Sequence, residues 1–594
     1  LGRLVYAVAA TVALGVQAVA APASAAQPRA VLEGALDPEL RSEIIAAIGE
    51  TDRPIQNRFE ARRRATAAAE AAIAVLRSEG YYAYVVEPDV GEGDTPRPVV
   101  RITPGPRFVI ASPAIAWAGT APDLAAAQAA GSALGPLAGR PGRAAEVVSA
   151  EGRAVAAVQK HGYADASAQP REVVVDHADH TVRPTYHLAT GQLVRLDGLE
   201  LVTKGRTDAH WLQGLAPWKA GQPYDPEAVA ELERRLLDAG VYDSVTVALA
   251  PADKATPDGL RPVVVSLAER KRRTIELGAS YGTTEGLGLD ARWTRYNLLG
   301  RADTLALLGR LSNIDSRVGV TLTLPHWRKP AQTLTSNAAV YKIHTDAYDE
   351  TGVGVRSDLQ RRFGKTSYLT FGASADFSRT EAIRIGSLTP LGRDIFAVGT
   401  LADLALDRSD DPLDPRRGWR VSARAEPTVL FGQGVLPYVK VQAQGSYYLP
   451  IGAQARTVLA ARVHLGSILN ATTPDIPASR RFYAGGGGSV RGFSYQAVGP
   501  RLADNTPQGG VSLLETSVEI RHELTRKWGV VAFVDTGSVG VDKFPGPGNL
   551  SVGAGVGVRY NLGFGPIRVD VATPLNPRQG DPPVQIYVSI GQSF

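Results

Sequence analysis

Two textures of apolar and polar residues divide this chain. From about Arg273 to the last residue, apolar side chains recur at every second position. Val584, Ile586, Val588 and Ile590 alternate with Gln585, Tyr587, Ser589 and Gly591. Val552, Ala554, Val556 and Val558 alternate with Gly553, Gly555, Gly557 and Arg559, and Ile567, Val569 and Val571 with Arg568, Asp570 and Ala572. Period two places one class on each face of a strand, so this region reads as β-structure with one apolar face and one polar or tiny face. A soluble sandwich alternates in the same way. The close spacing of charged positions favours a barrel around an aqueous lumen, and roughly 320 residues at about 20 per strand and connection accommodate about 16 antiparallel strands.

Residues 27 to about 270 carry helical spacing broken by short apolar strands, a mixed α/β pattern. Three helix-like segments end in a glycine followed by an aromatic: Gly80 before Tyr81 and Tyr82, Gly162 before Tyr163, and Gly240 before Val241 and Tyr242. Each glycine suits a left-handed helix cap. They stand 82 and 78 residues apart. Arg97-Pro98, Arg183-Pro184 and Arg261-Pro262 recur in the same phase, each opening an apolar strand. Two markers in step predict three tandem domains, over 27–106, 107–191 and 192–270, ahead of a barrel over 271–594.

Composition narrows the classes. The 594 residues are too many for one core. There are no cysteines, which removes disulfides, thiolate metal sites and cysteine nucleophiles. A net charge of +5 without a Lys/Arg block argues against nucleic acid as a partner. Arg3, an apolar run over 4–21 and Ala23-Ser24-Ala25 describe a signal peptide over 1–25, cut before Ala26; the rival is a membrane anchor helix. Beyond it no apolar run approaches the ~20 residues a transmembrane helix needs. An exported chain of this kind spans a membrane, if at all, as a closed barrel.

The most specific stretch is 482–493, where four glycines, Gly485 to Gly488, precede Ser489-Val490-Arg491-Gly492-Phe493. Arg491 among apolar neighbours calls for an anionic partner. A P-loop lacks its Gly-Lys-Ser/Thr here, and a nucleophile elbow lacks the glycine two residues after Ser489. Val490-Arg491-Gly492-Phe493 resembles the VRG(F/Y) signature of the Omp85 superfamily. Leu513 to Arg521 resembles that family's next strand, and Phe533-Val534-Asp535-Thr536-Gly537 its F-x-D-x-G strand. The resemblance implies a loop folded into the barrel lumen, with Arg491 against Asp535 and Phe533, and Gly537 in the same docking strand. It continues in the hairpin segment 407–419, in Tyr296-Asn297-Leu298-Leu299-Gly300 as the first hairpin, and in Gly565 to Asp570 and Ser589 to Phe594 as the last two strands. The barrel is expected to close between a first strand near 273–283 and a last strand over 584–594, through a weak lateral seam that gives a client strand an edge to pair with.

The N-terminal repeats resemble POTRA domains, and three of them point to the TamA-like (translocation and assembly module) branch. The resemblance implies a cell outer-membrane location with periplasmic N-terminal domains. It further implies unfolded outer-membrane or autotransporter clients captured by strand addition, contact with outer-membrane lipid, and a TamB-like partner anchored in the inner membrane. Phe594 is expected as the sorting signal read by the barrel-assembly machinery, and Gly591 as the place where the last strand peels inward. No catalytic set, cofactor site or metal site is expected; His177 and His180 read as a solvated turn, although they could clasp a metal. Two rival functions remain open. One is a passive pore or phospholipid conduit on the same scaffold. The other is an exported aspartic protease using Asp535-Thr536-Gly537, which needs two carboxylates where one copy is found.

Overall fold

Alanine spacing builds the longest helix of the first repeat. Helix α2 (Arg58–Ser78) starts at Asn57, whose side chain accepts the Glu60 N–H at 2.9 Å. It buries Ala61, Ala65, Ala68, Ala69, Ala72 and Leu76, one stripe of small residues that seats the helix on its sheet with α1 (Pro38–Ile48) beside it. The computed structural model describes residues 27–594 apart from 52, 93–95, 283–285, 365, 383–390, 433, 453–454, 563–564 and 591. The expected signal peptide and Gly591 lie outside the described residues.

The first sheet centres on Arg97–Thr103, parallel to Val31–Glu33 and antiparallel to Val85–Gly91. The second repeat places α3 (Leu124–Leu134) and α4 (Ala144–Lys160) against Thr181–Ala189, which lies parallel to Ala114–Trp117 and antiparallel to Glu172–Asp176. The third has α5 (Ala209–Gln213), α6 (Pro226–Asp238) and Leu260–Glu269 between Arg195–Thr203 and Tyr242–Leu249. The order strand-helix-helix-strand-strand therefore occurs three times. The marker glycines take positive φ, 89° at Gly80, 98° at Gly162 and 71° at Gly240, and Tyr81, Tyr163 and Tyr242 are buried beside them. Arg97 opens its strand, whereas the Arg183 and Arg261 strands begin earlier, at Thr181 and Leu260.

Two compact units divide the chain: residues up to 197 with 218–228 and 251–261, and then 198–217, 229–250 and 262–594. The first unit contains a joint that the sequence markers do not announce. The Phe108 N–H donates to the Gly80 carbonyl and the Phe108 carbonyl accepts the Gly142 N–H, both at 2.8 Å. One repeat on, the Val194 N–H donates to Gly162 at 2.8 Å and the Val194 carbonyl accepts from Tyr224 at 2.9 Å. The cap glycine of one repeat thus holds the entering strand of the next.

In the second unit, sixteen strands form one antiparallel sheet in sequence order, from β1 (Arg273–Gly282) to β16 (Gln585–Ile590). Its outer face is apolar: Ile275 and Leu277 are 72% and 80% exposed, and Val353, Val355, Phe371, Val556 and Val588 are exposed with them. Glu519, Asp535 and Asp570 are buried on the other face. That inversion belongs to a sheet with hydrocarbon outside and a polar lumen inside. No helix among the described residues is long and apolar enough to cross a membrane.

Two expectations shift. Tyr296 to Gly300 makes the connection between β2 (Gly286–Tyr296) and β3 (Thr304–Ser312), one hairpin later than expected, because 273–296 holds two strands parted only around 283–285. The last strand ends at Ile590 instead of 594, since the inward phase beyond it turns to side-chain partners. Between β1 and β16 the closure has no backbone ladder among the described residues, although the two strands come within 8 Å.

Candidate lumen site

Loop 470–511 joins β11 (Thr457–Leu469) to β12 (Ser512–Glu523) and folds inward around its own apolar core. Phe482, Ala484, Val490, Phe493 and Val498 pack there with Leu513 and Val539 of the wall. This packing carries Arg491 into the lumen, where it is 1% exposed. Its Nε and Nη2 donate to the two Asp535 oxygens at 2.7 and 2.9 Å, and its backbone N–H adds a third bond at 3.1 Å. Nη2 also lies 2.6 Å from Glu519 Oε1, and Nη1 3.1 Å from Asp570 Oδ2. The guanidinium stacks over the Phe533 ring, 3.4 Å from its centre.

Each carboxylate has a second partner. Asp535 accepts from Ser517 at 2.5 Å, Glu519 pairs with Arg521 at 2.8 Å, and Asp570 pairs with Arg559. Arg491, Arg521 and Arg559 thus face Glu519, Asp535 and Asp570. Burying a lone charge costs several kcal/mol, roughly, so only a paired set can sit this deep. Such an arrangement fixes a loop to a wall through charge-assisted bonds. Both Asp535 oxygens are occupied by Arg491 and Ser517.

The wall is cut to receive the loop. Phe533, Asp535 and Gly537 share the inward phase of β13 (Trp528–Gly540). A Cβ on Gly537 would stand 2.4 Å from Val490 Cγ2, and one on Gly553 of β14 (Ser551–Asn561) 1.8 Å from the Arg491 carbonyl oxygen. Gly492 has φ 100° and faces the Thr573 carbonyl, so it needs both glycine's conformation and its lack of bulk. The base of the loop is held separately. Arg462 donates to the Gly488 and Ser489 carbonyls at 3.1 Å each, and Glu515 binds Ser489 and His464.

Phe594 stands beyond β16. Its ring stacks on Tyr448 at 6.4 Å between centroids, with Arg521 and Arg462 over it at 5.1 and 5.6 Å. Ser593 donates to Glu519 at 2.5 Å, and Gln592 donates to Asp414 at 2.8 Å while accepting from Arg559 at 3.1 Å. The segment 407–419 forms a turn in which Asp410 accepts the Arg416 and Arg417 N–H groups at 2.9 and 3.1 Å. His177 and His180 flank the ring of Phe108, and no group of three or more metal-ligating side chains occurs among the described residues.

Sequence reasoning singled out Val490, Arg491, Gly492, Phe493, Phe533, Asp535 and Gly537, and these come together. It passed over Glu519, Asp570, Gly553 and Tyr587. The signal for them was present: all four lie in the inward phase of an alternating strand.

Known proteins bear on this geometry. Residues 297–594 match the Omp85 superfamily domain. The outer membrane protein assembly factor BamA of Neisseria meningitidis serogroup B is 22% identical over 496 residues, 73% of this chain and 60% of that protein. BamA of Neorickettsia risticii is 23% identical over 428 residues, 68% of this chain and 56% of that protein. The chain thus spans under two thirds of the length of these relatives. The crystal structure of Haemophilus ducreyi BamA lacking POTRA domains 1–3 superposes with a TM-score of 0.67 over 82% of this chain and 100% of that one, at 18% identity.

Proposed function

The chain belongs to the Omp85 superfamily, and on that premise we propose that it is a TamA-like, non-enzymatic assembly factor for outer-membrane β-barrel or autotransporter clients. It is an outer-membrane barrel protein with its N-terminal domains in the periplasm. Residues 27–106, 107–191 and 192–270 act as three POTRA domains ahead of the barrel at 271–594. Clients are captured by strand addition at exposed edges; Glu172–Asp176 is one, paired on one side only among the described residues and presenting Val173 and Val174 to solvent.

The observation that carries the reading is the seam. Every other neighbouring pair in the sixteen-stranded sheet shares a ladder, whereas β1 and β16 lie side by side without one among the described residues. A backbone group left unpaired in hydrocarbon costs several kcal/mol, roughly, so a strand edge at the seam favours pairing with a client strand. Client folding supplies the driving force. A TamB-like partner delivers clients across the periplasm, and Phe594 serves the barrel-assembly machinery before it settles beside Tyr448.

A disulfide across the seam tests this in the cysteine-free background. One cysteine replaces Gly278 on β1, and single cysteines are scanned through 584–594. Display of an autotransporter reporter is then scored with and without reductant. Display that stops until the disulfide is reduced supports the proposal. Crosslinking with unchanged display sinks it and leaves a passive pore or phospholipid conduit. Failure to crosslink anywhere removes the seam itself.

A further inference from the structure

The inward face of β16 is taken up by the lumen loop. The Tyr587 hydroxyl accepts the Gly492 N–H at 3.1 Å and donates to the Phe493 carbonyl at 3.0 Å. Its ring lies against Gly487, where an added Cβ would come within 2.9 Å of the ring. Gln585 Nε2 donates to Ser494 Oγ at 3.0 Å. Ser589 Oγ accepts from Arg568, and the same guanidinium donates to the Gly487 carbonyl at 3.1 Å. Gln585, Tyr587 and Ser589, the inward residues of this strand, are therefore each fastened to loop segment 487–494, directly or through one arginine.

The backbone of β16 is held chiefly by β15 (Pro566–Pro574). The ladder to β15 involves residues 585–590 alone, and no ladder forms on the β1 side among the described residues. The loop holds the inward side chains of β16, while β15 holds its backbone. We propose that Tyr587 is a positioning residue that joins the loop motif and the seam strand into one mechanical element. Docking of 490–493 fixes β16, and displacement of either one releases the other. A phenolic hydroxyl both donates and accepts, so deleting one oxygen leaves a buried N–H and a buried carbonyl unpaired while the ring keeps its place against Val531, Phe533 and Ala572. The geometry is independent of what passes the seam; the purpose of the coupling rests on the assembly reading.

The test uses the full chain in liposomes, with heat-modifiable gel migration to confirm a folded barrel. A thiol from Val490→Cys reports loop undocking by maleimide labelling. The best-crosslinking seam pair from the scan above, placed in a separate protein, reports strand position by its rate of disulfide formation. Tyr587→Phe is expected to raise labelling at position 490 roughly tenfold, the effect of losing two hydrogen bonds, and to raise the seam rate with it. Gln585→Ala should move both in the same direction by less. In a third protein that carries Val490→Cys and the seam pair with Tyr587 intact, closing the seam disulfide should slow labelling at 490. If Tyr587→Phe changes one rate without the other, or neither, the coupling is wrong; the same holds if the closed seam leaves labelling untouched. If both rates rise and reporter display is unaffected, the coupling stands and the assembly reading falls.

Discussion

The N-terminal repeats and the barrel bury opposite things. In the first repeat, Leu76 and Val100 are fully buried and Arg101 pairs with Glu33 in solvent. In the barrel, Leu277 is 80% exposed while Glu519, Asp535 and Asp570 are fully buried. The same alphabet and the same alternation serve both. What differs is the medium outside. Exposure therefore does not rank residues by importance here; it reports which solvent they were selected to meet.

The contrast can be broken most severely at the lumen cluster. Arg491→Ala should leave Asp535 without a cationic partner, take one of two from Glu519 and from Asp570, and cost about 3–5 kcal/mol of local stability, as for one partner lost from a buried pair. Protease nicking of loop 470–511 in an otherwise folded barrel would measure it. In the repeats the equivalent wound is apolar: Leu76→Ala should destabilise the first repeat by about 2–5 kcal/mol in urea melts of the N-terminal signal, and leave barrel heat-modifiability unchanged. The comparison is sharpest for two side chains of equal exposure, Phe59 at 81% and Leu277 at 80%. Leu277→Arg should cost up to about 2–4 kcal/mol in a bilayer, against within about 0.5 kcal/mol for Phe59→Arg in water. Equal effects in folding titrations would mean that the outer face of β1 does not meet lipid.

The smallest effect is pH-dependent. His326, in the turn between β4 (Asp315–Leu324) and β5 (Gln332–His344), accepts the Ala331 N–H at Nδ1 at 3.1 Å, so Nε2 carries the proton it donates to the Arg235 carbonyl at 2.8 Å. Burial lowers its pKa in the folded state. Its contribution is thus complete above the unfolded value of about 6.5 and is lost as pH falls from there through the lowered folded value. Exchange protection of the Ala331 amide should drop at pH 5 relative to pH 7.5, by the equivalent of at most about 1 kcal/mol, and His326→Gln should abolish that dependence.

How much of this was legible follows from what each feature is made of. Strand alternation is a property of side chains, so the sheet and its polar and apolar faces could be read along the chain. The contact of Arg491 with Asp535 and Phe533 could be read because both ends lie in recognisable motifs. Glu519 and Asp570 look like any inward charge until the wall curves and brings β12, β13 and β15 around one point. The β1–β16 seam, without a ladder among the described residues, is a backbone feature that alternation does not mark. The inward turn at 592–594 was hidden for a related reason: those residues continue the pattern of the strand before them, and only the partners across the lumen, Asp414, Glu519, Arg521 and Tyr448, distinguish a strand from a tail. The joint at Phe108 and Val194 uses main-chain groups and left no mark.

The lumen cluster also limits how such a chain can change over generations. Each of its six charges neutralises at least one other, and Arg491 touches three. A single replacement there starts from a deficit, whatever the new residue could do once its neighbours had adjusted. Variation at these positions must therefore arrive as compensated pairs or not at all, whereas the outer face of the same strands can drift through Leu, Val, Ile and Phe one step at a time. Within a single strand, then, neighbouring residues inherit under different rules, and the period of two that folds the sheet is also the period of its mutational freedom.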